Sequence, residues 1–291
     1  MSPVALRARV PSAVRAEVRD LDGRSVVWVD VDASDRQGAL SSASSSQLEA
    51  AARAAHDARI PLVAVMRSSG ADIAEGFSAL HGWGLAARAI AACSGIVPVI
   101  MIVDGPAVSG PALLIGLADL VVMTATSYAF VSGPTMVAEF TGVTIDNDEL
   151  GGASSHARYT GAASLVAPDL DTAVEMTAAM LSYLPSSNDD EPPRWPTDDP
   201  SDRDTTDAGE LIPATSTGSY DVRDVIRCLV DDGDLLEVRA RWASNVVTGF
   251  ATIGGMPVGV VANQPISLAG TLDIPASQKA ARFVAFCDAF N

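Results

Sequence analysis

The chain has 291 residues, 48% of them apolar, enough for a large core and too apolar for a disordered chain. Its formal charge of −17, from 36 acids against 19 bases, argues against a nucleic acid or an anionic membrane as partner. Three cysteines (Cys93, Cys228, Cys287) and three histidines (His56, His81, His156) fall into no metal-ligand spacing, so reduced thiols and no metal are expected.

In chain order, Ser25–Val31 is rich in β-branched residues and predicts a strand. Ser46–Arg59 predicts a helix with a serine start. Ile60–Met66 is a wholly apolar strand that runs into the small-residue turn Ser68-Ser69-Gly70-Ala71, and helix-compatible sequence follows from Ala74 to Ala92. Val97–Val103 is the next buried strand, expected to break at Asp104-Gly105-Pro106. Pro111–Leu117 reads as helix, Asp119–Thr124 and Tyr128–Val131 as strands. This alternation predicts an α/β layered domain. No apolar run reaches the roughly 18 residues of a spanning helix, and the first seven residues lack a secretory layout, so a cytoplasmic location is expected.

Residues 182–220 differ in kind. Their prolines and acids leave too few apolar side chains for a core and predict a linker. Beyond it, Asp221–Leu229 predicts a helix, Asn245–Gly254 and Pro257–Ala262 a hairpin across Gly254-Gly255, and Ser277–Phe290 a helix. The apolar side chains Ala280, Phe283, Val284 and Phe286 of that last helix need a cover. The domain map is therefore 1–181, a linker at 182–220, and 221–291 as the beginning of a second domain.

Chemistry is expected at the turns after buried strands, where backbone N–H groups are open to an anion. Gly110 in the Ser109-Gly110-Pro111 turn lets the chain approach a ligand, and Pro111 suits a first helical position. Two converging amides there could hold a thioester enolate oxygen; the same residues also suit a tight strand-to-helix turn. Ser69-Gly70-Ala71 carries the same two readings. Gly151-Gly152-Ala153 reads as a flexible turn. The sequence holds no phosphate-cradling GxxxxGK[ST] and no GxGxxG.

Longer stretches carry a resemblance. Tyr183-Leu-Pro-Ser-Ser-Asn-Asp, Tyr220-Asp-Val-Arg-Asp-Val-Ile-Arg, Pro257-Val-Gly-Val-Val-Ala-Asn-Gln-Pro and Lys279-Ala-Ala-Arg-Phe-Val-Ala-Phe-Cys-Asp-Ala-Phe-Asn291 resemble the β subunits of biotin-dependent propionyl- and acetyl-CoA carboxylases. So do Ser94-Gly-Ile-Val-Pro, Ser127-Tyr-Ala-Phe-Val-Ser-Gly-Pro and Glu149-Leu-Gly-Gly-Ala. The resemblance is dense from about residue 60 onward.

It implies a crotonase-like spiral of ββα units, one complete domain and the start of a second. The implied reaction moves a carboxyl group from carboxybiotin to the α-carbon of a short acyl-CoA. Biotin would ride on a separate carrier subunit, with a biotin carboxylase and other carboxyltransferase chains as partners in an oligomer. Ser109-Gly110 falls where the family has a Gly-Gly pair whose amides hold the thioester oxygen. Substrate contacts are implied at Ser69, Gly70, Ala71, Gly133, Pro134, Gly151, Gly152 and Ala153. Arg67 stands in place of a family acid and Asp72 in place of a family arginine, an exchange that could preserve an ion pair. Two other readings remain: a non-catalytic partner subunit, and a biotin-independent acyl-CoA decarboxylase.

Overall fold

The apolar runs become the middle of a mixed sheet in a computed structural model that describes residues 3–6, 12–200, 202–215 and 218–291. The reading of the first seven residues lies partly outside the described residues. Met1–Ala178 with Ser186–Asp189 forms one unit, and Ala179–Pro185 with Asp190–Asn291 forms the other.

The first unit contains β1 (Val4–Ala5), β2 (Val14–Leu21), β3 (Arg24–Val31), β4 (Leu62–Ser68), β5 (Val99–Val108), β6 (Leu120–Thr124), β7 (Tyr128–Phe130) and β8 (Leu165–Ala167). They form one sheet in the order β1-β2-β3-β4-β5-β6-β8, with β7 paired to β5. From β3 to β8 the pairing is parallel, whereas β1, β2 and β3 are antiparallel. Central parallel strands are covered on both faces, which is why Leu62 to Met66 are all buried and show no alternation. The sequence reading passed over β2, although Asp22-Gly23 is a two-residue hairpin signal; both residues take positive φ (51° and 80°), as that turn requires.

The helices of this unit are α1 (Ser42–Ala58), α2 (Phe77–Ala92), α3 (Gly110–Ile115), α4 (Pro134–Thr141), α5 (Asn147–Gly151), α6 (Ala153–Ser155) and α7 (Leu170–Leu181), whose last turn belongs to the second unit. The Ser41 hydroxyl caps α1 by accepting from the Ser44 amide at 3.1 Å, and Glu75 accepts from the Ser42 amide at 2.6 Å. These bonds start the helix four residues before the expected serine. Leu48, Ala51, Ala52 and Ala55 form its buried stripe. Burying Leu48 alone contributes about 1.5–3 kcal/mol. Against that stripe lies α2, close enough that a Cβ on Gly82 would sit 3.1 Å from the Ser45 Cβ.

One expectation is corrected here. β5 does not break at Asp104-Gly105-Pro106 but runs on to Val108. Met66 pairs with Val103 and Ser68 with Ala107, so three residues of β5 stand opposite one of β4. Gly105, at φ +124°, absorbs that bulge. The bend changes the neighbour of β5: residues 100–103 pair with β6 and residues 106–108 with β7.

The second unit contains α8 (Asp207–Glu210), α9 (Val222–Leu229), β9 (Leu236–Glu237), β10 (Val246–Ile253), β11 (Met256–Asn263) and α10 (Ile274–Ala289). β10 and β11 form the expected hairpin, with β9 on the other edge of β10. Both Asp231 carboxylate oxygens accept from the turn, Oδ1 from the Gly254 amide and Oδ2 from the Gly255 amide, each at 2.8 Å. Within this unit Trp195 and Arg203, from the expected linker, are tied down by contacts. Trp195 stacks on Tyr183 and donates its indole N–H to the Ser182 carbonyl, and Arg203 donates to the Val230 carbonyl. Phe283 and Phe286 find their cover inside this unit against Phe250, while Val284 remains 54% exposed. Among the described residues no helix is long and apolar enough to cross a membrane.

Candidate functional site

Two turns of the first unit meet at the C-terminal ends of β4 and β5. A Cβ built on Gly70 would lie 3.5 Å from the Val108 carbonyl oxygen and 3.7 Å from the Ser109 Cβ. The sequence-predicted Ser69-Gly70-Ala71 and Ser109-Gly110 are thus brought together.

Of the expected Ser109 and Gly110 amides, one is already hydrogen-bonded. The Ser109 amide donates to the Phe130 carbonyl at 2.9 Å, continuing the β5–β7 ladder past Val108. It is therefore occupied in this structure by the bond that holds β7 in place, which leaves Gly110 as the open amide of the expected pair. Ser69 is also engaged, donating to the Gln37 carbonyl at 3.0 Å, and the Gly70 amide donates to the Ser68 hydroxyl at 3.3 Å.

Ala71 differs. It bridges Leu40 in parallel fashion, through Leu40 N–H to the Gly70 carbonyl at 2.8 Å and Asp72 N–H to the Leu40 carbonyl at 3.0 Å. Extended backbone alternates, so the Ala71 N–H points to the opposite edge, the one facing β5. Gly110 is the first residue of α3, and the first amides of a helix have no partner within it. Among the described residues nothing engages either amide. Ala71 is exposed and Gly110 half-buried, so both are open to a ligand.

Gly110 is glycine for want of space. A Cβ there would lie 2.8 Å from Trp83 Nε1 and 3.0 Å from Trp83 Cδ1. The sequence reading missed Trp83, because nothing local relates a residue in mid-α2 to a turn 27 positions later. Its indole nitrogen is buried without a hydrogen-bond partner among the described residues. Ser109 instead bears the conformational strain, with φ +62° and ψ −122°, a combination natural to glycine.

The remaining predicted residues sit elsewhere. Gly133 and Pro134 begin α4, which buries none of its residues. Gly151, Gly152 and Ala153 are not a flexible turn but a buried clasp on β7: a Cβ on Gly151 would overlap the Ala129 carbonyl oxygen, Gly152 bridges Tyr128, and Ala153 N–H donates to the Ser127 carbonyl at 3.1 Å. They support β7 from the edge away from β5. His156 belongs to the same clasp; its Nε2 donates to the Ala129 carbonyl at 2.8 Å, leaving Nδ1 to the Thr160 hydroxyl.

The charges around the turns are paired, though not as expected. Arg67 does not meet Asp72. It bonds Asp104 at 2.8 Å and Asp30 at 2.7 Å, and Asp72 bonds Arg36. Burial alone would lower the Arg67 pKa, but the two carboxylates outweigh it and hold the guanidinium above its ordinary range. Among the described residues no cluster of histidine, cysteine or carboxylate could hold a metal. The two amides can stabilise a developing oxyanion, and no titrating group is needed for that.

Residues 7–291 match the carboxyl transferase domain. The methylmalonyl-CoA carboxyltransferase 12S subunit of Propionibacterium freudenreichii is 42% identical over 79% of this chain and 44% of the relative. The propionyl-CoA carboxylase beta chain of Saccharopolyspora erythraea is 38% identical over 93% and 51%. The methylmalonyl-CoA decarboxylase subunit alpha of Veillonella parvula is 35% identical over 93% and 53%. A crystal structure of transcarboxylase 12S, a hexamer with hydrolysed methylmalonyl-CoA bound, superimposes with a TM-score of 0.97 at 34% identity, covering all of this chain and 59% of that one. The chain thus spans about half the length of the curated relatives it matches. With the crotonase-like fold and a domain match over nearly its whole length, this chain belongs to the carboxyl transferase domain family.

Proposed function

We propose that this chain supplies the acyl-CoA side of a carboxyltransferase, holding the thioester oxygen of a short acyl-CoA between the Ala71 and Gly110 amides while its α-carbon gains or loses a carboxyl group. The observation that carries the reading is the meeting of two turns with one unengaged amide each. As the α-carbon becomes nucleophilic, charge develops on the thioester oxygen. Donors fixed in the fold stabilise that charge without reorganising.

Biotin, carried on a separate subunit, would supply the carboxyl group as carboxybiotin. Lys279 is 1% exposed, and its ammonium donates to the carbonyls of Val246 at 2.6 Å, Trp242 at 2.9 Å and Ala243 at 3.4 Å, so it offers no nitrogen for attachment. The proposal includes a cytoplasmic location, a biotin carboxylase partner and assembly with further carboxyltransferase chains. Phe77 and Phe140, 82% and 84% exposed on the first unit, are the side chains such assembly would cover.

Decarboxylation of a carboxyacyl-CoA is a second reading, favoured by the similarity to a methylmalonyl-CoA decarboxylase subunit. Both readings use the same enolate and the same amides. Calorimetric titration with methylmalonyl-CoA, followed by assay for propionyl-CoA with and without free biotin, separates them. Failure to bind any CoA thioester would overturn both.

A further inference from the structure

Ser109 presents two facts that do not explain each other. Its backbone is held at φ +62°, ψ −122°, which disfavours any residue with a Cβ. Gly76 takes nearly the same conformation, φ 52° and ψ −121°, at the start of α2, and there the residue is glycine. The second fact is the hydroxyl. Serine before a helix ordinarily caps it, as Ser41 does for α1. Ser109 stands before α3 and makes no such bond.

The strained backbone accounts for the missing cap, because it turns the side chain away from the first amides of α3. It turns it toward the other turn, the Ser109 Cβ lying 3.7 Å from the Cβ position of Gly70. Gly70 immediately precedes Ala71. The Ser109 Cβ is therefore carried on the exposed lip where the two turns meet, and no described residue engages its hydroxyl. Trp83 explains why the glycine of this pair lies at 110, where space demands it, and leaves 109 to a side chain.

We propose that the Ser109 hydroxyl is a third hydrogen-bond donor to the thioester oxygen, and hence a catalytic residue of this chain. The proposal rests on the acyl-CoA reading above. The hydroxyl offers at position 109 a donor that the Ser109 amide, bonded to Phe130, does not. A nucleophilic role for the same serine needs a base hydrogen-bonded to its hydroxyl, and no described residue engages that hydroxyl.

The test compares the full chain with Ser109→Ala and Ser109→Gly, using propionyl-CoA carrying a 13C-labelled thioester carbonyl. Infrared difference spectra report hydrogen bonding to that oxygen in the bound state, without turnover. The wild-type band should fall below its position in water, and both variants should recover part of that displacement. Ser109→Gly should also melt higher than wild type, since it relieves the strain. Where methylmalonyl-CoA turnover is measured, both variants should lose on the order of 10² in kcat with KM little changed. A purely conformational role predicts the reverse for Ser109→Gly: an unshifted band and undiminished turnover, which overturns the proposal. Detection of a propionyl group bound to Ser109 by mass spectrometry overturns it in favour of a nucleophile. A wild-type band at its aqueous position would overturn the amide reading itself, and an absence of binding the acyl-CoA reading; this proposal falls with either.

Discussion

Gly110→Ala tests whether the fit between α2 and α3 aims the amide. The added methyl would lie 2.8, 3.0 and 3.2 Å from Trp83 Nε1, Cδ1 and Cε2. Comfortable carbon contacts are about 3.5–4.0 Å, so ring and turn must part by roughly 0.5–1 Å. The indole packs against the main core of the first unit, which limits how far it can swing. Overpacking of this kind costs about 1–3 kcal/mol, and each kcal/mol lowers the melting temperature by about 2–4 °C in a chain of this class. A donor displaced by close to 1 Å can forfeit on the order of 10² in rate. Melting temperature and the bound-thioester carbonyl band should therefore move together. Trp83→Phe in the same chain should restore much of both, with a coupling of about 0.5–3 kcal/mol in the double-mutant cycle. Unchanged melting and an unchanged band in Gly110→Ala, or strict additivity with Trp83→Phe, would refute the idea that the ring sets the position of this amide.

Asp231→Ala should destabilise the second unit by about 1–3 kcal/mol, because the Gly254 and Gly255 amides lose their acceptor; urea denaturation measures it. Burial alone would raise the Asp231 pKa, but those amides outweigh it and hold it low. Its contribution is present above the ordinary aspartate value and lost as pH falls through the lower folded value, so Asp231→Asn should flatten that part of the acid-denaturation curve. Lys279 runs the other way: burial lowers it from 10.5 to about 8, so between those values the unfolded chain binds the extra proton and stability should rise with pH, a slope absent from Lys279→Met. Native protein should resist amine-reactive labelling at Lys279 and accept it only when denatured; ready labelling at pH 7 would contradict the carbonyl cage. Limited proteolysis should cut first between Asp204 and Thr215, because Asn188 is bonded to Ile96 in the first unit while Trp195 and Arg203 are bonded within the second. An early cut between 95 and 135 would overturn that order.

Local pattern was enough for much of the architecture. Runs such as Leu62–Met66 and Val99–Val103 read as buried strands because a parallel strand covered on both faces must be apolar throughout. The Gly254-Gly255 hairpin and the helix holding Phe283 and Phe286 were legible for similar reasons, since turn chemistry and a 3.6-residue period act within a few residues. The family was legible because long stretches of its sequence stand here in order, and the two small-residue turns were visible as turns after buried strands.

Which atoms act there was a matter of tertiary structure. Whether the Ser109 amide is open depends on Phe130, a carbonyl 21 residues away across a strand pair. The Ala71 amide faces the site because Leu40 bonds its two neighbours, and Gly110 is required by an indole in another helix. Arg67 and Asp72, opposite charges five positions apart, each found a different partner because the β5 bulge carries Asp104 to Arg67 and the chain before α1 carries Arg36 to Asp72. A backbone N–H has one bond to make, and composition and periodicity do not say with which carbonyl. In this protein that choice is made by strand pairing between distant segments, so the sequence alone marked the two turns and the fold decided which of their amides are already bonded.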